Sequence, residues 1–368
     1  MDQDRLANVP ASIGSYVFLD RLSSGAYGDV YVAEHKMTKQ KVAIKIMNRA
    51  FLVEQDAFIS LEQEIRIQQT LDHPNIVKIY DILYSPDYVF VVLEYCQQGD
   101  LLESIQSGHL RSQRQARMYF YQILLAVQYI HHRKIAHLDL KPENILVFDD
   151  MTVKLADFGC CEAPPHKQYR CTRGTLYYAA PEMLVKPQKD NRPADIWSLG
   201  ILFFSMINSS LPFRPGDDDF VRQQIISGEI VIPPHIPSEI STFIQWMCQL
   251  NPDNRPSIDE AVQSRLFAEF AKDKPSISSS TSASVMNTQH IGGVNISAHN
   301  SLAGLSTYGI PNKLSVPVLP NRRKSLIVKP AQTQANMSSN QANNKNNPIL
   351  KAGINNVKSM RSFHVSFG

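Results

Sequence analysis

The residues best able to do chemistry stand in one run, His137-Leu138-Asp139-Leu140-Lys141-Pro142-Glu143-Asn144, with the triplet Asp157-Phe158-Gly159 after it. Asp139 can orient a hydroxyl or accept its proton, and Lys141 can neutralise a phosphoryl group in motion. Asn144 and Asp157 offer hard oxygens suited to Mg²⁺. Phosphoryl transfer asks for little covalent help: a triphosphate must be held, its charge neutralised, and a hydroxyl aimed in line. Any one of these residues is more often an ordinary surface side chain. All of them at these spacings, joined by the apolar stretches 145–148 and 153–156, point to that chemistry.

Two further features would hold the triphosphate. Leu22-Ser23-Ser24-Gly25-Ala26-Tyr27-Gly28-Asp29-Val30 lies between strand-like segments, and glycines let a backbone approach phosphates and donate N–H groups to them. Val42-Ala43-Ile44-Lys45 puts a lysine in an apolar strand, where an ammonium needs a partner to keep its charge. Glu64, on the next helical stretch, is that partner.

The elements that must position these groups are legible from periodicity. Alternating or apolar runs with glycine punctuation predict strands over 16–22, 29–34 and 41–47, and a buried strand over 88–94. A helix is expected over 56–71, ending before Pro74. From Ser112 the spacing of Ala116, Phe120, Ile123, Leu124, Val127 and Ile130 is helical, with Ser112 and Gln115 as a capping-box start. A small β-rich lobe followed by a larger helical one makes the expected fold α+β and bilobal.

Composition supports a globular body with an unlike tail. The 368 residues are 43% hydrophobic with 2 Trp, 14 Tyr and 16 Phe, enough for a real core. The start lacks a signal peptide's basic and apolar regions, and the apolar run 197–207 is too short to span a bilayer. Five cysteines without a CxxC pair are neither a disulfide framework nor a zinc site, which suits a reducing intracellular compartment, cytoplasmic or nuclear. Of the 37 Lys/Arg, 11 fall in residues 271–368, against one of the 34 acids, so the body carries about −7 and the tail about +10. Ser runs and Asn/Gln clusters cannot bury enough apolar surface to offset ordering entropy. The expected organisation is an extension (1–15), a folded domain (16–270) and a disordered basic tail (271–368).

Residues 16–270 resemble a eukaryotic protein kinase domain. The resemblance rests on the strings above together with Ala180-Pro181-Glu182, Asp195-Ile196-Trp197-Ser198-Leu199-Gly200 and Asn254-Arg255-Pro256. It implies ATP as substrate and Mg²⁺ as cofactor, with Asp139, Lys141 and Thr175 catalytic and Asn144 and Asp157 on the metal. It implies an ATP site of Leu22, Gly25, Gly28, Val30, Ala43, Lys45, Glu64, Leu93, Glu94, Cys96, Asp100 and Leu146. In this resemblance Leu93 is the gatekeeper, Glu94–Cys96 the adenine-contacting hinge and Asp100 the ribose-contacting acid. Asp195 lies in a central helix that anchors the catalytic loop, and Arg255 pairs with Glu182. Lys141 in its string and Gly174-Thr175 resemble the serine/threonine class, giving a non-specific serine/threonine protein kinase. The wording is most like the calcium/calmodulin-dependent kinase group, and the HLD string is similar to that of the myosin light chain and death-associated kinases.

Several positions depart from that pattern. Ser23 replaces the first loop glycine. Leu138 replaces the Arg that reads a phosphate on the activation segment, and Cys171 stands where the phosphorylated Thr often is. With both halves of that switch gone, activity is expected without activation-loop phosphorylation, Thr172 being the alternative acceptor. Gln68, one turn after Glu64, occupies a usually apolar position and reads as a solvated side chain. His137 reads as a packed imidazole, and Cys160 and Cys161 as small packing residues.

The resemblance implies that acids at Asp100 and Glu143 favour protein substrates with Arg before the acceptor, although Ser205 stands where strongly basophilic members often carry Glu. Arg322-Arg323-Lys324-Ser325 could dock on the acidic body or be phosphorylated there. The apolar-and-basic stretch from Ile349 to Phe363 could form an amphipathic helix for the domain, a membrane surface or calmodulin, but calcium regulation is not expected. No nucleic-acid role is expected. The rival reading is a pseudokinase or scaffold; it predicts loss of Lys45, Asp139, Asn144 or Asp157, and all four are present.

Overall fold

In the computed structural model the described residues are 10–25, 28–55, 57–110, 112–163, 176–185 and 189–271. Cys171, Thr172, Gly174 and Thr175 lie outside the described residues, as do residues 1–9 of the extension and the tail from 272, with Ser325 and the stretch from Ile349 to Phe363. Among the described residues the first lobe is a six-stranded antiparallel sheet. Its strands are β1 (Ser12–Ile13), β2 (Tyr16–Gly25), β3 (Gly28–His35), β4 (Lys41–Asn48), β5 (Ile79–Tyr84) and β6 (Tyr88–Glu94), in the order β1-β2-β3-β4-β6-β5.

Strand periodicity decides what each side of β4 does. Side chains alternate between the faces of a strand. Val42, Ile44 and Ile46 therefore join Ala33, Phe90 and Val92 in one cluster, against Phe18 and Tyr31. Lys45 and Met47 fall on the other face. There Met47, Val89 and Val91 meet Leu52 of α1 (Arg49–Glu54) and Leu61 and Ile65 of α2 (Phe58–Gln69). The expected strands and the α2 helix form. The helix α1 and the edge strand β5 had no clear periodic signal. Asn48 starts α1, its side chain accepting a bond from Phe51 N–H.

The second lobe gathers α3 (Leu101–Gln106), α4 (Gln113–His132), the hairpin β7 (Ile145–Asp149) and β8 (Thr152–Leu155), and helices α5 (Pro181–Val185), α6 (Arg192–Asn208), α7 (Asp218–Ser227), α8 (Ser238–Met247), α9 (Ile258–Val262) and α10 (Ala268–Ala271). Ser112 caps α4 by accepting a bond from Gln115 N–H, and every apolar residue of the predicted α4 stripe is buried. The helix α6 is buried on nearly all sides, as an apolar helix at the centre of a lobe must be. Its Phe203 stacks on Phe120 with ring centres 4.3 Å apart. No helix among the described residues is long and apolar enough to cross a membrane.

The predicted Arg255–Glu182 pair forms as a buried fork, Nη1 to Oε1 at 2.6 Å and Nη2 to Oε2 at 2.7 Å. Arg255 also donates to the carbonyls of Pro193 and Gln249, so the start of α6, the end of α8 and α5 meet at one guanidinium. Arg255→Met would leave a buried carboxylate uncompensated, and a loss of about 3–5 kcal/mol of unfolding free energy is expected by urea titration. The double variant Arg255→Met/Glu182→Leu should lose less, because no lone charge remains.

Candidate active site

The register of β4 sets the first contact. Lys45 pairs with Val30 on one side and Val91 on the other, so its side chain leaves an interior strand on the face that α2 covers. Its Nζ stands 3.3 Å from Glu64 Oε1. The Glu64 carboxylate, with Asp157 adding to it, holds the Lys45 ammonium above its ordinary range despite burial. A cation is thus fixed between β4 and α2. Gly28, which opens β3, tolerates no side chain: a Cβ would lie 1.9 Å from the Ile46 carbonyl oxygen.

The second group lies between α4 and the β7–β8 hairpin. Lys141 Nζ meets Asp139 Oδ2 at 2.8 Å. Asn144 Nδ2 donates to the Asp139 carbonyl at 2.8 Å and to Oδ2 at 2.9 Å, so neither of these bonds uses the Asn144 Oδ1. Ala156 N–H donates to the Asn144 carbonyl at 2.9 Å, tying the two oxygen-bearing residues Asn144 and Asp157 to each other through the backbone. Asp157 takes φ +60°, and its Oδ1 accepts a bond from Gly159 N–H at 3.2 Å. Burial pushes its carboxyl up, but Lys45, the Gly159 N–H, His137 and Lys141 together hold it below the ordinary range, so it stays ionised. A Cβ at Gly159 would sit 3.2 Å from Asp157 Oδ1 and 3.3 Å from Glu64 Oε2, so the two carboxylates flank that glycine and the groups form one site.

Asp195 holds the loop from below. It is 0% exposed; its Oδ2 accepts from His137 N–H and meets His131 Nε2, and its Oδ1 accepts from Leu138 N–H, each at 2.8 Å. His137 is a packed imidazole as expected: Nε2 meets the Ala156 carbonyl at 3.1 Å, Nδ1 accepts from Asp139 N–H, and the ring lies edge-on to Phe158. Sequence reasoning missed His131, which carries no local signal, and Lys154. Lys154 sits in an apolar strand as Lys45 does, so the same argument could have found it. Its Nζ pairs with Glu94 at 3.0 Å and donates to the Pro74 carbonyl.

The remaining residues expected at an ATP site fall on β2, β3, β4, β6, β7 and the segment between β6 and α3. Ala43 is opposite Leu93 in the sheet, Val30 is half-buried on β3, and Leu146 bridges Asp100. Leu22 on β2 is 47% exposed. Cys96 is buried, its thiol pushed up to about 12 by burial. The Glu94 carboxylate is committed to Lys154 and Lys78 N–H, so any contact it makes with a base falls to its main chain. Asp100 caps α3 by accepting from Glu103 N–H at 2.8 Å.

Two sequence expectations are corrected. Gln68 is not solvated: it is 5% exposed and donates from Nε2 to the Val77 carbonyl at 2.9 Å. Cys161 is a half-buried packing residue as expected, but Cys160 is disulfide-bonded. Adjacent cysteines carry no signal that separates these two fates.

Asn144 and Asp157 supply one amide and one ionised carboxylate oxygen, a hard donor set that fits Mg²⁺ shared with phosphates. Among the described residues there is no cluster of three or more His, Cys, Asp or Glu to hold a metal by protein groups alone. Asp157→Asn should therefore weaken ADP binding at least tenfold in calorimetry with Mg²⁺ and leave it nearly unchanged without Mg²⁺.

Residues 16–267 match the protein kinase domain. The chain is 36% identical over 256 residues to the carbon catabolite-derepressing protein kinase of Candida glabrata, covering 69% of this chain and 42% of that protein. It is 35% identical over 254 residues to serine/threonine-protein kinase kin-29 of Caenorhabditis elegans, covering 69% and 31%. With serine/threonine-protein kinase SIK1 of Mus musculus the identity is 34% over 258 residues, covering 70% and 33%. The chain spans less than half the length of these curated relatives. With its paired Lys45 and Glu64, its ionised Asp157 and its braced 137–144 loop, the chain belongs to the protein kinase family.

Proposed function

We propose that the protein is a serine/threonine protein kinase that transfers the γ-phosphate of ATP to hydroxyls of protein substrates inside the cell. The observation that carries this reading is the joining of the Lys45–Glu64 pair, ionised Asp157 and the Asp139–Lys141–Asn144 cluster around Gly159 and the Asn144–Ala156 backbone bond. Lys45 would hold the α- and β-phosphates, with Glu64 keeping it charged and oriented. Asn144 and Asp157 would hold Mg²⁺, which neutralises phosphate charge. Asp139 orients the incoming hydroxyl and takes its proton, and Lys141, already 2.8 Å from Asp139, faces the charge that develops on the phosphoryl oxygens. A scaffold without catalysis has no use for these paired charges. Asp139→Ala should lower kcat on a serine peptide by about 10²–10⁴-fold, and wild type without transfer above this variant would return the protein to the scaffold reading.

Substrates with arginine before the acceptor are favoured by Glu143. Its Oε2 is buried with no hydrogen-bond partner, and burial raises its carboxyl above the ordinary range. A guanidinium is the donor that would satisfy it. The second acid of strongly basophilic members is absent: Ser205 is buried and spends its hydroxyl on the Leu202 carbonyl. One arginine should therefore dominate. In a peptide array, Glu143→Gln should flatten the arginine preference by about tenfold while leaving kcat on arginine-free peptides unchanged.

Activity would not require a phosphorylated activation segment. Leu138, in place of the phosphate-reading Arg, packs against the main core and is held at φ +64° by its bond to Asp195. Phosphatase-treated enzyme and Thr172→Ala should both keep kcat within about twofold of wild type, and loss of activity in either would overturn this reading.

A further inference from the structure

A charged pair stands beside the apolar cluster on the face of the first-lobe sheet turned away from Lys45. Arg21 Nη2 meets Asp29 Oδ1 at 2.7 Å, tying β2 to β3. Asp29 is 6% exposed and lies opposite Ile46, on the face that Tyr31 and Ile44 share with Phe18. A carboxylate in such a place needs a cation, and the half-exposed Arg21 supplies it. The pair sits where the register of β2 is irregular. Directly opposed residues of an antiparallel ladder share a face, and a strand changes face at every residue. Phe18 is opposite Ala33 and Arg21 opposite Tyr31, so both point to this outer face although they are three residues apart. Ser23 is opposite Val30, the neighbour of Lys45, and falls on the inner face only two residues beyond Arg21. A shift on each side of Arg21 accounts for both facts. Each shift adds one residue to β2, and together they carry the segment two residues along β3, bringing Gly25 opposite Gly28.

We propose that Arg21 is a positioning residue for ATP: its pair with Asp29 fixes the twice-shifted register of β2, and with it which residues of the 22–30 segment face the nucleotide. In the unshifted register continued from Phe18 opposite Ala33, Arg21 would stand opposite Val30, in the row of Lys45. Leu22 would then be opposite Asp29 on the outer face, and Ser23 rather than Gly25 would stand opposite Gly28. That arrangement would put a second cation beside Lys45, take Leu22 out of the ATP site, and leave the Asp29 carboxylate against an apolar side chain. The apolar contacts of Phe18 act before the first shift and do not choose between the two registers. A single ion pair that forms in only one of them does, which is how a strand's register is specified where apolar patterning leaves it open. This inference deepens the kinase reading and rests on it for its kinetic readout.

The test compares wild type, Arg21→Gln, Asp29→Leu, their double variant and Arg21→Lys in the full chain. Each of the first two should raise KM for ATP about fivefold and leave KM for the peptide unchanged. A KM for ATP within about twofold of wild type in either variant would overturn the proposal. Asp29→Leu leaves no buried charge and fills an apolar site, so its urea midpoint should equal or exceed that of wild type. A purely structural role would move that midpoint and leave the kinetics of the folded enzyme alone; Asp29→Leu also carries the test if Arg21→Gln does not fold. The double variant should be no worse than either single one, and increases in KM that multiply would show that the two residues act separately and overturn the proposal. Arg21→Lys keeps a cation that can make the single contact, and should bring KM for ATP back to within about twofold of wild type; no recovery counts against the pair. Hydrogen exchange at the amides of 20–25 should quicken in Asp29→Leu. If wild type transfers no phosphate, the kinase reading fails by itself, and unchanged exchange at 20–25 then decides against Arg21.

Discussion

A carboxylate with no access to water is the constraint on which this structure turns. An unpaired buried charge costs far more than a fold can spare, so Asp195 must be met by donors on every side. It recruits the N–H groups of His137 and Leu138 and the ring of His131. Those bonds hold Leu138 at φ +64°, a conformation that costs a non-glycine residue about 1–3 kcal/mol and persists only when its surroundings enforce it. The loop that follows is aimed as a result. Asp139 comes out beside Lys141 and Asn144 because the two preceding peptides are clamped to a helix at the centre of the lobe.

The same logic of satisfying buried polar groups links the parts that must work together. Lys45 and Glu64 compensate each other between β4 and α2. Lys154 compensates Glu94 and reaches Pro74, so the end of β6 and the start of the segment after α2 share one cation. Asn75 and Gln122 join that segment to α4 and β8. Each pair removes a penalty rather than adding a large gain, and removing penalties in this way selects one arrangement of the two lobes' edges among many that would bury as much apolar surface. The core itself is indifferent to such details: the aromatic cluster of Phe120, Phe203, Phe243 and Phe267 would hold the second lobe together with or without a catalytic loop on its surface.

Sequence patterns carried much of this. Period-two alternation in β4 placed Lys45 on the face opposite Ile44 and Ile46, and period-3.6 spacing gave α4 to within a residue at its start. These signals are strong because each depends only on neighbours along the chain. The helix α1 and strand β5 were not legible, since a six-residue helix held by an Asn48 cap and a half-exposed edge strand show too few repeats of any period. Gln68 was misread for a related reason. A glutamine in a helix is usually solvated, and only the fold brings the Val77 carbonyl, nine residues on, to where its amide can be satisfied.

By itself the sequence determined the inventory: which oxygens could take Mg²⁺, which lysine needed an acid, and that the arginine expected before Asp139 was gone. Those are properties of residue type and short-range spacing. The tertiary structure alone decided other pairings that span long separations, Asp195 with His131, Lys154 with Glu94, Gln122 with Asn75, and the unpartnered Oε2 of Glu143. The division follows from the physics. A chain's local preferences are written every few residues, but whether a buried polar atom finds a partner depends on where distant segments come to rest.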